Sequence, residues 1–167
     1  LNALTTLSAS VAQKAISNGE TATLDDIISS AKTTVASSLG IQADNIDKDY
    51  LKAKDPSSLS AAAQITSVLN VVSSTAGGSN SSNDALDSFA ELLTDSSGSV
   101  DLTSTTAMTT IIEKAAEKAG TLSDISNNIS NVASITTNVI TSIQAIDTTS
   151  DDVSTFSALE ATAHASK

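Results

Sequence analysis

The sequence predicts an all-α protein, an irregular bundle of six to seven helices with one long heptad-patterned helix near the C-terminus. Leu, Ile, Val and Ala recur at spacings of three and four residues, the period of a helix with one buried face. Glycines separate these stretches, as expected at helix ends. Only 2% of the residues are aromatic, so the core has to be aliphatic, which suits close packing of helix on helix.

Two helices are predicted before residue 41. The first spans residues 3–18 and ends at Asn18-Gly19, and the second begins after Thr23 and ends at Gly40. Their short connection predicts an antiparallel hairpin. The buried face of the second helix is predicted to consist of Leu24, Ile27, Ile28, Ala31 and Val35.

A loop and a third helix follow. Residues 41–54 break the helical period, and we interpret them as an ordered loop pinned by Ile46, Tyr50 and Leu51. Asp55-Pro56 then starts a helix that reaches about residue 76, since Asp is favoured at the N-cap and Pro at the first helical position. The sequence GGSNSS at 77–82 predicts a flexible connector.

The second half of the chain predicts four more segments. Two of them are a short helix over 84–95 and a helix over 104–119 that stops at Gly120. Residues 122–146 then carry a heptad seam of alternating three- and four-residue spacing, in which only Thr136 is polar. A last helix begins near Thr149 or Ser150. The seam residues are Leu122, Ile125, Ile129, Val132, Thr136, Val139, Ile143 and Ile146. Since Ser, Asn, Thr and Ala flank them, the pattern favours an internal helix of a bundle over a free coiled coil.

The domain prediction is one helical domain over residues 1–167, with a sub-boundary at the connector 77–83. The chain begins at Leu1 without an initiator Met, and we interpret it as a piece of a larger protein whose neighbouring domains are its first partners. In isolation we expect a monomer.

Charge and composition exclude several kinds of partner. The net charge is −11 and all eight basic residues are lysines, so no basic stripe is available for nucleic acid or an anionic membrane. No apolar run approaches the length needed to cross a bilayer. The chain lacks Cys and Arg and is rich in Ser, Thr, Asn and Asp, a composition typical of exported bacterial surface proteins.

The sequence predicts no enzyme and no catalytic residue. The single His164 lies near the chain end, and the many hydroxyls lack a neighbouring base that would make one a nucleophile. Paired carboxylates can hydrolyse glycosides, but such sites usually also need aromatic platforms, which are scarce here. Glu113 and Glu117 share a helix face beside Lys114 and Lys118, which favours a solvated, charge-balanced surface.

No cofactor is predicted, but two acidic clusters have the oxygen ligands that calcium prefers. The first contains the weak candidate calcium ligands Asp44, Asp47 and Asp49, and the second contains Asp147, Asp151 and Asp152. Neither matches the EF-hand pattern. The pattern favours the alternative that these carboxylates cap helices and keep loops soluble.

Several short motifs resemble those of a helical module in very large bacterial surface and RTX-type secreted proteins. They are LTTL at 4–7, SSLG at 37–40, Asp55-Pro56, VDLT at 100–103 and the Asn- and Ile-rich late helix. The resemblance covers most of the chain, although Asn2-Ala3 stands where the family often has Pro. It implies a structural or adhesive module of an exported, adhesin-like protein, in a calcium-rich setting, and carries over no catalytic residue.

Three functions remain open from the sequence. The first is a non-catalytic structural or adhesive module of a secreted or cell-surface bacterial protein. The second is a helical domain that recognises a peptide, glycan or small molecule in a cleft between helices. The third is an export-linked assembly protein of flagellin-like composition, in which the late helix pairs with other copies.

Overall fold

The computed structural model describes residues 2–47, 55–95 and 100–146. Within these ranges the chain forms seven α-helices and no strand, which confirms the predicted all-α fold. The helices are α1 (Ala3–Ser17), α2 (Leu24–Leu39), α3 (Pro56–Ala76), α4 (Ser81–Asp95), α5 (Thr105–Ala119), α6 (Leu122–Ile125) and α7 (Ile129–Gln144). The predicted last helix, together with Tyr50 and Leu51, lies outside the described residues.

Side-chain caps fix where most of these helices begin. The side chain of Asn2 accepts a hydrogen bond from the Thr5 amide, and the Thr5 hydroxyl accepts one from the Asn2 amide, both at 3.0 Å. This reciprocal capping box satisfies two backbone donors that the first turn would otherwise leave unpaired. Thr23, Asp55 and Ser104 cap α2, α3 and α5 through their side-chain oxygens, and for Asp55 this is the N-cap that the sequence predicts.

Gly120 ends α5 in the left-handed conformation, with a φ of 74°. A Cβ atom added there would meet nothing within 4 Å, so the cost of a side chain comes from the backbone alone. We expect Gly120→Ala to lower the free energy of unfolding by about 1 kcal/mol. Urea denaturation followed by circular dichroism measures this change. Gly120→Asn should cost less, because Asn tolerates this region better, and equal costs for the two variants would contradict the explanation.

The core lies where α3, α4 and α5 meet. α4 packs against α1, α3 and α5, while α7 packs against α3 and α5 on the other side. Phe89 of α4 is the largest fully buried side chain, and the rest of the hydrophobic core consists of Leu, Ile, Val and Ala with the single Met108. Ile46, which the sequence predicts to pin the loop after α2, is fully buried beside a single 3₁₀ turn at Ala43–Asn45.

The connector between α3 and α4 is shorter than the sequence predicts. α4 begins at Ser81 rather than near residue 84, so that the carbonyl of Asn80 accepts the first helical hydrogen bond from Asp84 at 3.0 Å. The Asn80 side chain also accepts a bond from the Asn83 amide group at 2.8 Å. Val72 before the connector and Phe89 after it belong to the same hydrophobic core.

The predicted late helix is divided into two. Residues 126–128 form a turn between α6 and α7, and the Asn128 amide donates to the Ile125 carbonyl at 2.8 Å. Ser and Asn are poor helix formers because their side chains compete for backbone hydrogen bonds. The seam nevertheless faces inward along α7, where Ile129, Thr136 and Ile143 are buried.

The predicted buried face of α2 is partly wrong. Ile27, Ala31 and Val35 are buried, but Leu24 is 61% exposed and Ile28 is 37% exposed. The cause is position, because α2 packs mainly against α1, and Ile28 lines a surface hollow together with Asp44 and Asp47. Only the residues that face α1 are therefore covered.

Candidate functional site

The two candidate calcium ligands that the structure describes line one surface hollow but make different contacts. Asp44 belongs to the 3₁₀ turn and is exposed, whereas the carboxylate of Asp47 forms an ion pair with Lys32 of α2. Asp49 and the second acidic cluster lie outside the described residues. Among the residues that the structure describes, no group of three or more metal-ligating side chains converges.

Other acidic side chains act on the local backbone. The Asp55 carboxylate accepts hydrogen bonds from the amide and the hydroxyl of Ser58, at 3.2 and 2.6 Å. Asp101 accepts from the hydroxyl and the amide of Thr103, and these two bonds lower the pKa of Asp101. Asp55 thereby caps α3, as Asp55-Pro56 predicts, whereas Asp101 closes the turn just before Ser104, the N-cap of α5.

We expect calcium to leave the stability of the chain unchanged, because Lys32 already neutralises Asp47 and a bound ion would have to displace it. Differential scanning calorimetry in millimolar Ca²⁺ and in chelator should therefore give the same melting temperature. Magnesium at the same concentration controls for ionic strength. A higher melting temperature in Ca²⁺ alone would contradict the expectation, and its loss in Asp44→Asn would place the ion at this loop.

A cluster of four charged side chains joins three helices, and we call it the ionic cluster. Lys14 of α1 lies 2.7 Å from Asp87 and 3.8 Å from Glu91, both on α4. Lys118 of α5 lies 3.0 Å from Asp87 and 3.2 Å from Glu91. Each carboxylate therefore sits between two ammonium groups, so the charges of the cluster balance.

Contacts within the ionic cluster lower the pKa of Asp87 and raise the pKa of Lys118. Partial burial alone would raise the pKa of Asp87, but hydrogen bonds from Lys14 and Lys118 outweigh it and hold that pKa below its ordinary value. Burial would likewise lower the pKa of Lys118, but its bonds to Asp87 and Glu91 raise it. Both Asp87 and Lys118 therefore stay ionised across the neutral range.

The lowered pKa of Asp87 predicts an acid-dependent loss of stability. A carboxyl whose pKa is depressed on folding stabilises the protein above its unfolded pKa, and this contribution is lost as the pH falls through the folded pKa. We therefore expect Asp87→Asn to destabilise the chain at neutral pH but much less at about pH 3. Urea denaturation at both pH values measures the difference. The exposed Asp25→Asn is the matched control, and equal behaviour of the two variants would contradict the prediction.

Eleven of the serine and threonine hydroxyls in the described ranges are turned back onto their own helices. Ser8, Thr75 and Thr94 each donate to the carbonyl four residues earlier, at 2.8 to 2.9 Å. The same bond is made by Thr33, Thr34, Ser38, Ser88, Thr110, Thr136, Thr141 and Ser142. A hydroxyl held in this way is not poised to lose its proton to a base.

Sequence reasoning missed the ionic cluster. It placed Lys118 on a solvated face with Glu113 and Glu117, whereas the structure pairs Lys118 with α4. The local signal was the spacing of Asp87 and Glu91, which are four residues apart and so share a helix face. Which lysines meet that face depends on how α1 and α5 pack, which spacing does not reveal. His164 lies outside the described residues.

Comparisons of the chain with protein-family models, with curated proteins and with solved structures found no match. No helix in the described part of the chain is both long enough and apolar enough to cross a membrane. The function therefore has to be inferred from the side chains themselves.

Proposed function

We propose that this chain is a non-catalytic structural or adhesive module of a large secreted or cell-surface bacterial protein, with neighbouring domains of the same protein as its partners. The ionic cluster is the observation that carries the proposal. It uses two lysines and two carboxylates to join α1, α4 and α5. Charges that neutralise one another across helices stabilise a fold.

The direction of the pKa shifts supports a structural role for this cluster. A general acid or base works best when its pKa lies near the working pH, so enzymes raise a carboxyl pKa or lower a lysine pKa. Here the pKa of Asp87 is lowered and that of Lys118 is raised. Both shifts make proton exchange at neutral pH harder.

The proposed location rests on composition and on the resemblance of the short motifs. The chain has no Cys and takes all its positive charge from lysine, which suits an exported protein that folds without disulfides. The Ser and Thr hydroxyls that bond to their own helices act as local structural groups.

Antibodies raised against the purified chain test this proposal on the bacterium that produces it. We expect these antibodies to label intact cells or the culture medium. In a second experiment, we expect beads coated with the chain to bind a cell or matrix surface or the neighbouring domains. An antibody against a cytoplasmic protein controls for leaking cells. Labelling that requires permeabilised cells would contradict the proposed location, and coated beads that bind none of these would contradict an adhesive role.

A second candidate function is a ligand-binding helical domain. It is favoured by one observation, a groove of about 450 Å³ between α1, α2 and the end of α4. This volume lies in the range of sites for small molecules or short peptide segments.

A further inference from the structure

The groove beside α2 exists because α2 is only partly packed. α2 lies against α1 but makes few contacts with α4. The space bounded by α1, α2 and the end of α4 is called the α2 groove. Its floor contains Val11 of α1, Ile27 and Ala31 of α2, and Leu93 of α4. These four side chains are buried and belong to the hydrophobic core, so the floor of the groove is apolar.

The two charged side chains that line the α2 groove in the described residues are Glu20 and Asp26. Both are exposed, and neither forms an ion pair with a lysine of the described ranges. The Glu20 carboxylate accepts hydrogen bonds from the amides of Thr21 and Ala22, at 3.0 and 3.1 Å. These bonds hold one negative charge at the turn between α1 and α2, close in sequence to Asp26 in the first turn of α2.

The wall of the groove is made of small polar residues. Thr33 and Thr34 donate their hydroxyl protons to the carbonyls of Ser29 and Ser30, so their oxygens remain able to accept. The α2 lining extends from Asp26 to Ser37, which corresponds to about 16 Å along the helix. This length accommodates an extended segment of about five residues.

We infer that the α2 groove binds a basic polypeptide segment, which lays apolar side chains on the floor and places a Lys or Arg beside Glu20 and Asp26. The inference rests on the proposed interaction role and names the chemistry of the partner. Charge complementarity selects this occupant, because the groove offers carboxylates at one end and the chain as a whole carries −11. The apolar floor selects a peptide over a simple polyamine, which has no side chains to bury there.

Fluorescence anisotropy with the whole chain tests this inference. The probe is a short fluorescein-labelled peptide of alternating leucine and lysine, titrated in a low-salt buffer. We expect this peptide to bind, the same peptide with glutamate in place of lysine not to bind, and a serine–lysine peptide to bind more weakly. No binding of the leucine–lysine peptide at millimolar concentration would overturn the inference. Spermine that displaces the peptide at equal concentration would overturn the assignment to a polypeptide.

Two sets of variants locate the binding. Glu20→Gln with Asp26→Asn removes both groove charges and should weaken binding by about 5- to 20-fold. The matched control is Asp25→Asn with Asp44→Asn, which removes the same charge from a different surface hollow and should leave binding nearly unchanged. Equal weakening by the two pairs would show non-specific attraction and overturn the groove site.

A blocking variant gives an independent check. Ser30→Trp places a large side chain in the α2 groove and should abolish binding, and circular dichroism verifies that the variant is folded. If the folded variant binds as well as the parent chain, the inference is overturned. If Ser30→Trp does not fold, the comparison of Glu20→Gln/Asp26→Asn with its control pair is the test. None of these outcomes affects surface labelling by antibodies, so failure of the groove and failure of the proposed function are distinguishable.

Discussion

Replacement of Phe89 by Ala is expected to lower the free energy of unfolding by about 3–5 kcal/mol, the largest effect we expect from a single substitution. Phe89 is 1% exposed and is the only aromatic side chain among the described residues. It lies on α4, which packs against α1, α3 and α5. Truncation removes apolar contact with the core and leaves a cavity that the fixed aliphatic neighbours fill only in part. Urea denaturation monitored by circular dichroism measures the loss.

Two control variants separate the cavity from a general loss of apolar surface. Phe89→Leu keeps part of the volume and should cost clearly less than Phe89→Ala. Ile135→Ala removes a large apolar side chain that is 59% exposed on α7, so it should change stability by less than about 0.5 kcal/mol. A cost for Phe89→Ala as small as that for Ile135→Ala would mean that α4 is not central to the core.

The ends of most helices follow from the sequence because the signals are local. Thr23 and Ser104 cap the helices that follow them, and Gly40 and Gly120 end helices in the left-handed conformation. Each signal depends on a hydrogen bond or a backbone angle within one turn. The all-α fold follows from the same local patterns.

What the sequence does not reveal depends on neighbours that are distant in the chain. Leu24 and Ile28 have the helical spacing of buried residues but are partly exposed, because packing against α1 covers only part of the apolar face of α2. The break at residues 126–128 shows the opposite case, since the heptad spacing continues through a turn. Periodicity reports that a face is apolar, and tertiary packing decides which part of that face is covered.

The candidate site was harder to predict for the same reason. The calcium candidates are close in sequence, yet Asp47 is paired with Lys32 of α2. The ionic cluster brings Lys14 together with Lys118 around the same two carboxylates. Such a contact needs the order of helices in the bundle, which short motifs do not contain.

Reversal of one charge in the ionic cluster should have the second largest effect. Lys14→Glu removes the attraction to Asp87 and Glu91 and places a third carboxylate beside them. These side chains are between a fifth and two-fifths exposed, so water screens part of the interaction, and we expect a loss of about 2 kcal/mol at low salt. Urea denaturation at low and high salt measures it, and the loss should shrink as salt screens the repulsion.

Lys114→Glu is the matched control for this reversal. It makes the same change in net charge, but none of the ion pairs among the described residues includes Lys114. If the stability of the bundle depended only on the total charge of an acidic chain, the two variants would cost the same. A clear excess for Lys14→Glu that salt reduces would instead mean that α1 is attached to α4 by a defined set of charges. That set also includes Lys118. We therefore expect Lys118→Met to lower the free energy of unfolding more in the Lys14→Glu background than in the parent chain, because no cation of the cluster is then left beside Asp87, Glu91 and the new carboxylate.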